Sequence, residues 1–207
     1  METMPYFNIV EESEAPTAGL YPDQTALLVR DLLANMGEDP DRDGLLRTPE
    51  RVARMYEELL SGYRTDPAAL VNEALFHSDY QNMVLVRDIE FYSLCEHHLL
   101  PFYGRAHVAY VPDGKIIGLS KIPRLVDMFA RRLQVQERMT QQVAQGLNDI
   151  LQPKGVAVLV EGAHMCAMMR GVKKAEASMV TSAYLGSFGV REALREEFLN
   201  QIQGSPG

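Results

Sequence analysis

The sequence is short of three things, and each shortage excludes a class of protein. Cysteine is scarce: Cys95 and Cys166 are the only two in 207 residues. A disulfide-built scaffold is thereby excluded, and because histidines flank both thiols, metal ligation is the stronger reading of them. Long apolar runs are missing, none approaching the roughly 18 residues that a helical membrane span needs. Basic charge is also short, with 20 Lys and Arg against 28 Asp and Glu and a formal net charge of −8. A nucleic-acid binder is normally basic, so this balance argues against one. It leaves room for an anionic small molecule in a locally basic pocket. The start of the chain carries Glu2, Glu11, Glu12 and Glu14 and no basic-then-apolar signal pattern, so a cytoplasmic protein without membrane attachment is expected.

What is present divides the chain into three stretches: a poorly ordered acidic tail over 1–21, a helical region over 22–80 and an α+β unit over 81–207. In the second, Leu27, Leu28, Leu32, Leu33 and Met36 keep a helical period up to Gly37. Thr48-Pro49-Glu50 reads as a helix start with a hydroxyl cap. Val52, Met55, Tyr56, Leu59 and Leu60 supply that helix with a buried face, and Arg51 and Arg54 share another. A short helical patch is expected over Pro67–Phe76. The turn-rich Glu38–Gly44 lacks the ligand spacing and closing Glu of an EF-hand loop.

From residue 82 the β-branched and aromatic content rises. Strands are expected over Asn82–Tyr92, Gly104–Val111, from Gly155, and over Ala175–Leu185. Between the second and third lie two helices, one capped by Ser120 and reaching about Arg132, the other running from Val135 to near Pro153. Arg191–Ile202 reads as a closing helix, and Gly204–Gly207 as a frayed tail. The order strand, strand, helix, helix, strand, strand predicts an antiparallel sheet with helices on one face. Two open sheet edges make lateral association into a ring a physical expectation.

The chemistry concentrates between the first two strands. Cys95-x-x-His98 has zinc half-site spacing, and His164-x-Cys166 offers further ligands downstream. Zinc with three protein ligands and one open position polarises water, whereas a fourth protein ligand closes the site. Cys95 and Cys166 leave the third ligand to be chosen among His97, His98 and His164. His98 is the natural choice for a one-turn wrap, which frees His97 and His164 for proton transfer. A closed site with His97 or His164 as fourth ligand is the alternative. In an extended strand His164, Cys166, Met168 and Arg170 would share a face. His77 and His107 lack such partners and read as structural. Lys121 and Arg124 stand at a helix start, against the macrodipole, which suits an anion such as a polyphosphate. Glu137 stands in the first turn of the next helix, either complementing the dipole or accepting from a donor–donor edge such as that of guanine.

Ser93-Leu-Cys-Glu-His-His98, Gly118-Leu-Ser-Lys-Ile122, Arg131-Arg-Leu-Gln-Val-Gln-Glu-Arg138, His164-Met-Cys166 and Met169-Arg-Gly-Val172 together closely resemble the GTP cyclohydrolase I family. The likeness runs from about Thr48 to Ile202, departing from the family's commoner wording at Ala175–Met179. The resemblance implies a tunnelling fold, with 81–207 as its catalytic domain. Five subunits would join their sheets into a barrel, and two rings would stack into a homodecamer. It implies zinc-dependent hydrolysis of GTP to 7,8-dihydroneopterin triphosphate and formate, at the head of folate and pterin synthesis. It makes Cys95, His98 and Cys166 the zinc ligands, and His97 and His164 the catalytic proton-transfer residues. Glu137 would hold the guanine. Ser120, Lys121, Arg124 and Arg170 would line the triphosphate, with Arg51 and Arg54 reaching in from a neighbour. Two other readings compete: a non-catalytic zinc-stabilised oligomerisation module, and another tunnelling-fold enzyme acting on a pterin or deazapurine precursor.

Overall fold

Helical periodicity gives way to strand chemistry near residue 75, slightly earlier than the sequence suggests. The computed structural model describes residues 22–71 and 74–203; the acidic tail expected over 1–21 and the frayed end expected at 204–207 lie outside them. Helix α1 (Pro22–Asn35) is closed by Gly37, whose φ of +86° suits a residue without a Cβ. Helix α2 (Thr48–Leu59) packs on α1. Thr48 does not cap it: its N–H donates to Leu45 O (2.9 Å), so the chain turns in earlier and Arg47 takes the cap position. Met55, expected inside, is 43% exposed, because α2 packs on one helix rather than on the sheet.

A 3-10 turn (Ser61–Arg64) and α3 (Pro67–Val71) follow. The helical patch expected to reach Phe76 stops at Val71, and Leu75–His77 is instead strand β1. It pairs antiparallel with β4 (Lys115–Ile117) across the main hairpin. That hairpin is β2 (Val84–Cys95) and β3 (Pro101–Val111). Then come α4 (Lys121–Ala130), β5 (Leu133–Gln134), α5 (Gln136–Leu151) and β6 (Gly155–His164). The single turn α6 (Met165–Met168), β7 (Ser178–Gly186), α7 (Ser187–Val190) and α8 (Glu192–Gln203) complete the described chain.

The α+β unit has the expected ββααββ order of a tunnelling fold, in a five-stranded sheet ordered β5-β2-β3-β6-β7. All its pairings are antiparallel except that of β5 with β2. Leu125, Val126, Phe129, Met139, Val143 and Leu147 pack the α4–α5 layer on Phe91, Phe102, Val108, Val156 and Val158. The sheet is not covered on one face alone. Phe188, Leu194 and Phe198 of α7 and α8 bury Ala109, Val111, Ala157 and Leu159 on the other. Double cover explains why β6 reads as an uninterrupted apolar run. Gly104 and Gly162 face one another in register, and a Cβ on Gly104 would lie 1.8 Å from Glu161 O. Among the described residues β7 forms one edge of the sheet, and β5 covers β2 only at Leu94 and Cys95. No helix of the described residues is long and apolar enough to cross a membrane.

His107 is buried and structural, as its isolation in the sequence suggests. Its Nδ1 accepts the N–H of Asp88 (3.3 Å), a residue held at φ +57° in the bulge between Val86 and Ile89. Burial holds the imidazole below its ordinary value, with Asp88 and Glu161 opposing in part. The unfolded chain therefore takes up this proton more readily than the folded one. Stability rises with pH across this titration and is lost as pH falls below about 6.5 toward the depressed folded value. The Tm should fall over that window, and His107→Gln, which can still accept from Asp88 without titrating, should flatten the fall. Equal falls in both proteins would assign the acid sensitivity to other groups.

Candidate active site

The turn between β2 and β3 is tighter than expected, because the ladder continues through Ser93↔Phe102 and Leu94↔Pro101. Cys95 N–H donates to Leu100 O (2.9 Å), and Cys95 O accepts the N–H groups of His98 (3.2 Å) and Leu99 (2.8 Å). Leu99 closes the turn at φ +54°. The backbone thus curls both histidines back over the thiol: Cys95 Sγ lies 4.0 Å from His97 Nδ1 and 3.9 Å from His98 Nδ1. Glu96 ties the turn to the next segment, its N–H donating to Gln134 O (3.0 Å) and its carboxylate pairing with Arg138. Its second oxygen lies 3.8 Å from His97 Nε2.

Cys166 arrives by a different route from the one the sequence suggests. The β3–β6 ladder ends at Phe102↔His164, beyond which Pro101 has no N–H to offer. Residues 165–168 then form a helical turn, so the expected strand face of His164, Cys166, Met168 and Arg170 does not exist. The turn nevertheless carries the thiol into the cluster. The ligand atoms of Cys95, His98 and Cys166 all lie within 4.8 Å of one another, and no other His, Cys, Asp or Glu of the described residues joins the group.

This donor set fits zinc. Bonds of about 2.3 Å to sulfur and 2.0–2.1 Å to nitrogen allow a sulfur and a nitrogen to share one ion at up to about 4.3 Å; Cys95 Sγ and His98 Nδ1 meet that limit. Burial first, and then the adjacent Cys95, push the Cys166 thiol above its ordinary value, with Arg170 opposing. A divalent cation stabilises such a thiol as its thiolate.

His164, at the end of β6, is half-buried and stacked on Phe102 with centroids 4.7 Å apart and planes 1° from parallel. Its Nε2 lies 2.9 Å from Gln136 Oε1. Burial holds this imidazole below its ordinary value, and Glu137 opposes. A histidine kept neutral there can accept a proton at neutral pH.

The chain does not gather every expected residue here. Glu137 is exposed in the first turn of α5, between buried Gln136 and the Arg138 that pairs with Glu96. Arg170 is exposed just past α6. Ser120, Lys121 and Arg124 lie at the start of α4, with Ser120 at the cap position but making no side-chain cap bond. The segment that touches Cys95 follows the other end of that helix, about 14 Å away at 1.5 Å per residue. Arg124 lines a groove of about 350 Å³ with Arg131 and Asp127. Arg51 and Arg54 are exposed on α2, whose main packing is on α1 and the 3-10 turn.

Three participants had no role in the sequence reading: Gln136 and Phe102, both fully buried, and Arg138. A signal for the first exists. Gln136 and Thr140 occupy the same helical stripe as Met139, Val143 and Leu147, and polar residues on a buried stripe need partners.

A family model described as GTP cyclohydrolase I matches residues 25–203. GTP cyclohydrolase 1 of Chlorobaculum tepidum is 58% identical to this chain over 174 residues, covering 84% of this chain and 78% of that protein. GTP cyclohydrolase 1 of Leptospira biflexa is 57% identical over 176 residues, covering 85% and 96% respectively. That of Campylobacter lari is 56% identical over 177 residues, covering 86% and 93%.

Proposed function

Because the chain belongs to the GTP cyclohydrolase I family of enzymes, we propose that it hydrolyses GTP at guanine C8 in a zinc-dependent reaction. The ring opens, formate leaves, and the remainder rearranges to 7,8-dihydroneopterin triphosphate, the entry to folate and pterin synthesis. The observation that carries this reading is the convergence of two sulfurs and one imidazole nitrogen from two distant turns of the chain, with His97 4.0 Å from Cys95 Sγ and His164 two residues before Cys166.

Cys95, His98 and Cys166 would hold the zinc, which when bound would supply Lewis-acid polarisation of water. Two anionic sulfurs blunt that effect, so proton transfer falls to the histidines. His97 takes a proton from the water that adds to C8, and His164, first protonated from solvent on its free ring nitrogen, gives that proton to N7 as the ring opens. A second addition of water to the resulting formamide releases formate. The Glu137 carboxylate accepts from guanine N1–H and the 2-amino group. Ser120, Lys121, Arg124 and Arg170 bind the triphosphate, as does the Arg51–Arg54 face of α2.

The position of Ser120, Lys121 and Arg124 at the end of α4 remote from β5 supports a site completed by neighbouring copies. Open β2 and β7 edges support joining of sheets into a barrel, in a decamer of two stacked pentamers. Two free thiols committed to metal suit a cytoplasmic enzyme.

Incubating the protein with GTP should release formate; a chelator should abolish the release and zinc restore it. No formate in the presence of zinc would leave only a structural metal module. Glu137→Gln should keep its zinc and lower kcat/KM for GTP by roughly 10- to 100-fold, the scale of one or two hydrogen bonds to a charged group. Unchanged kcat/KM would leave Glu137 as a helix-dipole complement.

A further inference from the structure

Gln136 begins α5 with a fully buried carboxamide. Its Nε2 faces Val160 O (3.0 Å), Met179 O (2.9 Å) and Thr181 Oγ1 (3.1 Å). The first two are backbone carbonyls, which only accept, so the nitrogen end of the amide is fixed toward them. The threonines confirm the direction. Thr140 Oγ1 donates to Gln136 O (2.8 Å), so in its 2.7 Å contact with Thr181 Oγ1 it accepts. Thr181 has then spent its proton on Thr140 and can only accept from Gln136 Nε2, whose two hydrogens are shared among it and the two carbonyls.

The amide oxygen is left facing His164 Nε2 at 2.9 Å. An amide oxygen cannot donate, so the hydrogen between them belongs to His164. Phe102 fixes the ring plane. Gly162 leaves room for the contact: a Cβ there would lie 2.3 Å from Gln136 Oε1.

We propose that Gln136 is a positioning residue that locks His164 in the Nε2–H tautomer, so that His164 exchanges protons with the substrate through Nδ1 alone. This rests on the reading of His164 as a proton-transfer residue. The lock is directional: strand carbonyls orient the amide, the amide orients the imidazole, and the neutral ring presents its lone pair on one named atom. Without it the neutral ring divides between two tautomers, and only one has Nδ1 free to accept.

The test uses zinc-loaded protein with ¹⁵N-labelled histidine, with the His164 signals identified by their absence from His164→Asn. The wild type should show a protonated Nε2 and an unprotonated Nδ1. Gln136→Met, similar in shape but unable to accept at that point, should show a mixture. Its kcat should fall about 10- to 100-fold, the scale seen when an outer partner of a functional histidine is removed, with KM for GTP unchanged. Gly162→Ala keeps the amide but displaces its oxygen from His164, and should do the same; it carries the test if Gln136→Met does not fold.

A wild-type ring protonated on Nδ1 would overturn the proposal. So would a folded variant retaining both the Nε2–H signal and kcat. His164→Asn separates the two claims. If it turns over GTP normally, the proton role of His164 fails and this proposal with it. If it is inactive while Gln136→Met and Gly162→Ala keep the wild-type signal and rate, only the role of Gln136 fails.

Discussion

Cys166→Ser is expected to lose stoichiometric zinc and to cut formate release from GTP by far more than the roughly 100-fold that follows removal of an outer metal partner. A serine hydroxyl does not ionise near neutral pH, so the remaining Cys95 and His98 make an incomplete donor set for zinc. The substitution is the cleaner of the two thiol variants. Cys166 sits half-buried on the single turn of α6, whereas Cys95 is buried at the end of β2 against the core. Circular dichroism should therefore be unchanged while bound metal, measured by atomic absorption, disappears. Wild-type turnover in the metal-free variant would remove zinc from the chemistry.

His97→Ala is expected to do the reverse, retaining zinc and losing formate release by about 10²- to 10⁴-fold, the usual contribution of a general acid or base. His97 approaches Cys95 Sγ almost as closely as His98 does, yet it does not join the Cys95–His98–Cys166 donor group. Its side chain is 64% exposed, so its removal opens no core cavity. Zinc content and single-turnover formate release, measured on one preparation, separate the possibilities. Loss of zinc from His97→Ala would make His97 a ligand and close the coordination sphere.

The ββααββ order was legible because each element carries a strong local period, and α5 shows the apolar stripe plainly. The Cys95–His98 pairing was legible for the same reason: a one-turn spacing is local, and the turn's backbone bonds close within six residues. Readings failed where a distant partner decides. Residues 164–170 read as strand, yet a strand needs a neighbour, and β3 ends opposite His164. The sequence of β1 looks like a helix end because its partner β4 lies about 40 residues further on. Met55 read as core because a helical stripe does not say how many neighbours will cover it. The two faces of the sheet were undercounted because α7 was not foreseen and nothing local tells a closing helix which face it covers. The Gln136 network joins α5, β6 and β7, none of which announces the others in sequence.

X-ray absorption at the zinc edge of the loaded protein tests the central claim most directly. Two sulfurs, one imidazole nitrogen and one further light atom that is exchangeable with solvent are the predicted shell. A shell filled by four protein side chains, or zinc bound with fewer than two sulfurs, would contradict it.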